Sequence, residues 1–158
     1  MRWQWSRLAL LPPSDLYAAL AARQSVFVVE QRCVFQDADG ADESSWHLLG
    51  WHGAGRDHRL ACYLRLVDPG VKFAEPSIGR VLTTAAVRGT GLGRALMHEG
   101  IVRAARLHPG CAVRIGAQQR LEAFYASLGF RTASAPYDED GLVHVEMLRP
   151  ADPGPARG

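Results

Sequence analysis

The residues Arg88-Gly89-Thr90-Gly91-Leu92-Gly93-Arg94 form the most chemically specific run in the chain. A strand-like segment, 77–84, precedes them and a helix-like segment, 92–107, follows. Backbone N–H groups at such a helix start have no intrahelical partner, and the helix dipole adds a positive potential there, so the natural ligand is an anion such as phosphate. Glycines at 89, 91 and 93 remove side chains that would keep that ligand off the backbone, while Arg88 and Arg94 can add charge-assisted hydrogen bonds. A purely structural turn does not need three glycines in five residues. The spacing excludes two common phosphate sites. A P-loop requires Lys followed by Ser or Thr after its last glycine, where this chain has Arg94-Ala95, and the dinucleotide register G-x-G-x-x-G is headed by neither Gly89 nor Gly91.

Several elements must position this turn. Trp3, Trp5 and Arg7 alternate with Gln4 and Ser6 as a first strand, and Pro12-Pro13 stops it. Ser14 or Asp15 is placed to cap a helix running to about Gln24. Val26-Phe27-Val28-Val29-Glu30 fits a buried strand or a buried helical turn equally. The runs 46–51 and 59–67 flank Gly53-Ala54-Gly55-Arg56-Asp57 and predict an antiparallel hairpin. In the helix after the glycine turn, Met97, Ile101, Ala104 and Ala105 share one face. A short strand at 112–116 leads to a helix marked by Leu121, Phe124, Tyr125 and Leu128 and closed by Gly129. Two last strands, 130–135 and 142–148, surround the turn 138–141. The expected architecture is mixed α+β (α/β): one sheet of about seven strands flanked by about four helices, in a single domain over 1–150 with a disordered tail at 151–158.

Composition narrows the function. The chain has 158 residues, 47% of them apolar and 22% charged, with a formal net charge of +2. That charge gives no case for a nucleic-acid partner or an anionic membrane, and no apolar run is long enough to cross a bilayer. The N-terminus lacks the pattern of a secretory signal, so a cytoplasmic location is expected. Cys33, Cys62 and Cys111 have no metal-ligand spacing, and no metal is expected. The oligomeric expectation is a monomer or homodimer.

The spacing R-x-x-G-x-G at Arg88, Gly91 and Gly93, followed by Phe124-Tyr125-Ala126-Ser127-Leu128-Gly129-Phe130, resembles the two acetyl-CoA motifs of the GNAT superfamily of N-acetyltransferases. The order and separation of the two are those of the family. A fuller likeness, to the ElaA-type branch, runs from about Trp5 to Met147. It is carried by Arg23, Val26 to Gln31, Cys33, Asp37-Ala38-Asp39-Gly40, His47 to Trp51, Gly79-Arg80-Val81, Gly116-Ala117-Gln118 and Asp140-Gly141 with His144.

The resemblance implies acetyl-CoA as co-substrate and a small-molecule or peptide amine as acceptor. Its pantetheine arm would pair with the backbone of Val81, Leu82 and Thr83, and its pyrophosphate would lie on Arg88, Gly89, Thr90, Gly91, Leu92, Gly93 and Arg94. Gln118 stands where the family often has asparagine, and Phe124 and Tyr125 belong to the second motif. Periodicity alone would make Tyr125 a core residue; the resemblance instead aims its phenol at the thioester sulfur as the group that stabilises the leaving thiolate.

An acceptor amine must lose a proton before it attacks. Glu30, beside apolar Val29, is the first candidate base if burial raises its pKa; pairing with Arg23 or Arg32 is an equal alternative. Asp37 and Asp39 either attract a cationic acceptor or solvate a loop, and His47 and His144 either line the acceptor pocket or serve structure. The rival readings are a CoA-binding module without catalysis and an acyl-homoserine-lactone-synthase-like enzyme, the latter because R-x-x-V-F-V-V-E resembles the start of that related family.

Overall fold

The computed structural model describes residues 1–151; apart from Ala151, the expected tail lies outside the described residues. Eight strands form one sheet: β1 (Arg2–Arg7), β2 (Ser45–His52), β3 (Arg59–Val67), β4 (Ser77–Thr83), β5 (Val113–Gln118), β6 (Arg131–Thr132), β7 (Tyr137–Glu139) and β8 (Leu142–Arg149). Their order is β1-β2-β3-β4-β5-β8-β6, with β7 also on β8. Three α-helices cover the sheet: α1 (Pro13–Arg23), α2 (Leu92–Leu107) and α3 (Glu122–Ala126). The eighth strand arises because the expected run 130–135 is broken. Ser134 Oγ accepts the Glu146 N–H at 2.8 Å in place of a backbone carbonyl, Pro136 has no N–H, and pairing resumes only at Tyr137.

Helix α1 opens on Pro13 without a side-chain cap, so neither Ser14 nor Asp15 caps it. It runs directly into a π-helical segment, Gln24–Glu30, which settles the ambiguous valine-rich run. Strand propensity loses there because Val26 and Phe27 reach the α1-side cluster from a helical backbone that continues the buried Arg23 turn. Arg32, at φ 51°, ends the segment. Helix α3 is shorter than its apolar spacing predicts, since Gln119–Leu121 forms a 3-10 turn ahead of it.

Adjacent strand residues point to opposite faces, and the core divides accordingly. Leu48, Cys62, Leu64, Leu66, Val113, Ile115 and Met147 meet Leu96, Met97, Ile101 and Ala104 of α2, while Leu49, Trp51 and Tyr63 meet the α1 side. Gly100 allows that first contact: a Cβ there would lie 2.7 Å from Leu64 Cδ2.

Strand β4 crosses between the two faces. Ile78 packs with the α2 cluster and Leu82 with the α1 cluster, although an unbroken strand would put residues four apart on one face. A bulge accounts for it. Pairing with β3 runs Gly79↔Arg65 and then Leu82↔Tyr63, so Arg80 and Val81 oppose Leu64 alone, and Arg80 sits at φ 53°.

Candidate active site

Strands β4 and β5 are parallel and pair at a single position, Ser77↔Arg114, supported by the Arg114 N–H to Pro76 O bond of 3.0 Å. Beyond it the two strands diverge, and between them opens a cavity of about 870 Å³. Val81, Leu82 and Thr83 form one wall and Gly116 and Gln118 the other, while Glu30 and Tyr125 also line it. An unpaired stretch of β4 therefore faces open space, with the backbone of the bulge at its centre.

The glycine turn sits at the end of β4. Gly89 (φ 78°) and Gly91 (φ 84°) adopt the left-handed backbone that side chains resist, and Gly91 caps the N-terminus of α2. Among the described residues no acceptor meets the N–H groups of Gly89, Gly91, Leu92 or Gly93. Nothing lies within 4 Å of where a Gly91 Cβ would stand. The donors and the space in front of them thus fit an anion, which is the test a pyrophosphate must meet. Gly93 differs from the other two: its backbone is ordinary helix, and a Cβ there would meet Thr83 Cγ2 at an ordinary contact distance of 3.8 Å. Thr90, Gly91 and Leu92 also border a smaller pocket of about 340 Å³ with Met1 and His52.

The two separated motifs meet through Arg94. Its guanidinium donates to Ser127 Oγ at 2.9 Å and lies over the Phe124 ring at 5.7 Å. Phe124 packs on the core and stands edge-on to Tyr125 at 5.1 Å. Tyr125 is buried, and burial pushes its phenol up to about 12. Its hydroxyl has no hydrogen-bond partner among the described residues, although it lines the cavity. Gln118 donates to Gln31 Oε1 at 3.1 Å and accepts from Arg120 Nε at 2.9 Å, so the residue in the family's asparagine position bridges β5 to the π segment.

Glu30 and Arg88 find each other. The guanidinium donates to both carboxylate oxygens, at 2.6 and 3.0 Å, and also to Thr83 O at 3.3 Å. The expected pairing with Arg23 or Arg32 is replaced by this one, and the premise of burial fails, because the Glu30 side chain is 47% exposed. The Arg88 hydrogen bonds hold the carboxyl below its usual range rather than above it. The pair joins the π segment to the glycine turn across the mouth of the cavity.

The acidic loop is neutralised by arginines. Arg23, 1% exposed, donates to Asp37 Oδ2 and to Asp42 Oδ1, each at 2.7 Å. Arg65, equally buried, donates to Asp39 at 2.5 Å and to Asp42 at 2.9 Å. Arg80 reaches Asp37 at 2.7 Å from the bulge. Burial opposes ionisation of Asp39 and Asp42, but hydrogen bonds from Arg65 and Arg23 outweigh it and hold both carboxyls low. Asp37 is thus engaged on two sides, and only Asp39 of the pair Asp37 and Asp39 reaches the cavity wall.

His47 lies in the core and not on that wall. Its Nε2 is 3.0 Å from Asp42 O, which can only accept, so Nε2 carries the proton and Nδ1 accepts from Tyr63 OH at 2.7 Å. Burial lowers its pKa. His144 does line the cavity, with Nδ1 2.8 Å from Leu142 O and its ring stacked on Tyr137. Arg65, Arg80, Lys72 and Tyr137 also line the cavity, and reasoning from sequence did not select them as site residues. One signal existed: Arg65 is a lone charge inside the otherwise apolar run Leu60-Ala61-Cys62-Tyr63-Leu64-Arg65-Leu66-Val67. Among the described residues no cluster of side chains could hold a metal ion, and no helix is long and apolar enough to cross a membrane.

A mixed sheet split between parallel β4 and β5, with an anion-ready helix start at the end of β4, defines the fold as that of GNAT acyltransferases. The chain belongs to the GNAT acetyltransferase family: residues 51–149 match the model of the Acetyltransferase (GNAT) domain. It is 42% identical over 148 residues to a UPF0039 protein of Synechocystis, covering 94% of both chains. To the protein ElaA of Escherichia coli it is 37% identical over 151 residues, covering 94% of this chain and 96% of ElaA. The crystal structure of ElaA superposes with a TM-score of 0.84 over 94% of this chain and 98% of that one. An acyl-CoA N-acyltransferase from Pseudomonas aeruginosa, 39% identical, superposes at 0.85 over 94% and 99%.

Proposed function

We propose that the protein is an acetyl-CoA-dependent N-acetyltransferase that moves the acetyl group directly to an acceptor amine. The observation that carries this reading is the Tyr125 hydroxyl, a donor without a protein partner on the wall of the gap between β4 and β5. Acetyl-CoA would supply the activated thioester, with its pyrophosphate on the free N–H groups from Gly89 to Gly93 and its arm along Val81, Leu82 and Thr83.

Arg88 then has two claimants, the Glu30 carboxylate and an incoming phosphate. Exchange to the phosphate removes the hydrogen bonds that hold Glu30 low, so its pKa rises and it becomes a better base at the moment the co-substrate arrives. Glu30 takes the ammonium proton directly or through water. The neutral amine forms the C–N bond as the C–S bond breaks, and the second amine proton ends on the sulfur. Tyr125 assists that departure by hydrogen bonding. A phenol near 12 stays protonated while a thiol near 8.5 ionises, so full proton transfer from Tyr125 to the thiolate is uphill by about 5 kcal/mol. The three cysteines are free thiols, in keeping with a reducing compartment such as the cytoplasm.

The test is an acetyl-CoA consumption screen against small amines, polyamines, amino acids and peptides, with a Gly91→Val protein as blank. Turnover in the wild type alone supports the reading. Tight acetyl-CoA binding without turnover on any acceptor would instead support a non-catalytic CoA-binding module.

A further inference from the structure

The cavity continues past the bulge towards the start of β4, and its chemistry changes there. Two cross-strand pairs, Arg65↔Gly79 and Val67↔Ser77, put four side-chain positions on one face, and all four residues line the cavity. The floor is small: a Cβ on Gly79 would have no atom within 4 Å. Ser77 is 4% exposed, yet its hydroxyl has no hydrogen-bond partner among the described residues. Lys72 and Phe73, from the β3–β4 connection, and Arg80 form the surrounding wall.

Cationic side chains gather at this niche. Arg65, Lys72 and Arg80 face the cavity and share Asp39 as a partner, Asp37 and Asp42 sit behind the arginines, and of the other lining carboxylates Glu30 lies on Arg88 and Glu139 on His144. The donors are incompletely used. Lys72 Nζ has a single ion-pair partner, Asp39 at 3.7 Å, and the Ser77 hydroxyl has none among the described residues. A carboxylate would give both an acceptor that an apolar or cationic molecule lacks.

We infer that the acceptor is an amino carboxylate whose carboxylate seats over Ser77 and Gly79, beside Lys72, with its amine directed along β4 towards Val81. This rests on the acetyltransferase reading given above and adds the class of acceptor. The bulged Arg80 separates Gly79 from Val81, so an amine several bonds from its carboxylate fits better than an α-amine.

The experiment compares 6-aminohexanoate, 6-aminohexanamide and pentylamine as probes in the full-length protein. Each is measured twice: by calorimetric binding in the presence of CoA, and by kcat/KM for acetyl transfer. The expected result is a preference of more than tenfold for the carboxylate over the amide in binding, carried into turnover. Lys72→Met and, separately, Gly79→Val should collapse that ratio towards one, Gly79→Val by filling the niche. Equal binding of all three probes, or a ratio that both variants leave intact, overturns the inference. Carboxylate-selective binding that Lys72→Met abolishes, without transfer to any probe, upholds the niche and counts against the enzymatic reading alone.

Discussion

Replacing Tyr125 by Phe isolates one hydroxyl. The ring keeps its edge contacts with Phe124 at 5.1 Å and Phe130 at 6.1 Å, and the hydroxyl removed has no protein partner to orphan. Folding stability should therefore be unchanged, in contrast to a core tyrosine whose lost hydrogen bond would cost about 1 kcal/mol. The effect belongs to the transition state. A hydrogen bond to a charged group contributes about 1.5–3 kcal/mol, and each 1.36 kcal/mol is tenfold in rate, so kcat should fall by about 10- to 150-fold. Since the phenol is held near 12, wild type and variant should show the same pH profile between pH 6 and about 9. The assay is CoA thiol release at saturating acetyl-CoA, with thermal unfolding and acetyl-CoA titration run on the same preparations. An unchanged kcat would refute the assignment. A loss of rate matched by a loss of stability would show that Tyr125 acts by packing alone.

Gly91→Val should abolish acetyl-CoA binding, because a side chain there strains a backbone at φ 84° and projects into the space before the free N–H groups; normal affinity by calorimetry would remove the anion cradle. Glu30→Gln should lower kcat while tightening acetyl-CoA, since Arg88 no longer has to leave a carboxylate. In the wild type the acid limb of kcat should lie at higher pH than that of kcat/KM for acetyl-CoA, because Arg88 depresses Glu30 only until the phosphate takes it; coincident limbs would refute the exchange. Asp42→Asn leaves two buried arginines partly unpaired and should cost about 3–5 kcal/mol, a fall in Tm of about 6–20 °C read by calorimetry. His47 is held below its unfolded value of about 6.5, so it favours folding above that pH and its contribution is lost as pH falls from there. A His47→Gln protein should show a flatter Tm between pH 7 and 5, and an equal slope would refute it.

Where local chemistry decides the conformation, the sequence was readable. Helix α2 spans Leu92–Leu107 as its apolar spacing predicts, because Gly91 before it and Pro109-Gly110 after it bound the run whatever else packs nearby. The hairpin β2–β3 follows for the same reason from its glycine-rich turn. The run at 26–30 was not readable: its residues suit a strand or a helical turn locally, and the docking of Val26 and Phe27 decides for π-helix. The bulge at Arg80 was also hidden: Gly79 stands beside it, but the left-handed residue is the arginine, and only the pairing with β3 sets two residues against Leu64.

The residues from Arg88 to Arg94 and from Phe124 to Phe130 point to the GNAT family by themselves, since motifs at fixed spacing are properties of the chain order. Which charges remain available is a property of the fold. Asp37 and Asp39 read either as an attraction for a cationic acceptor or as loop solvation, yet the arginines that satisfy them come from α1, β3 and β4 and are 14 to 43 residues away. Ion pairing depends on distance in space and burial, neither of which is visible in linear order, and so tertiary structure alone turned an acidic loop into a cavity wall with cationic donors to spare.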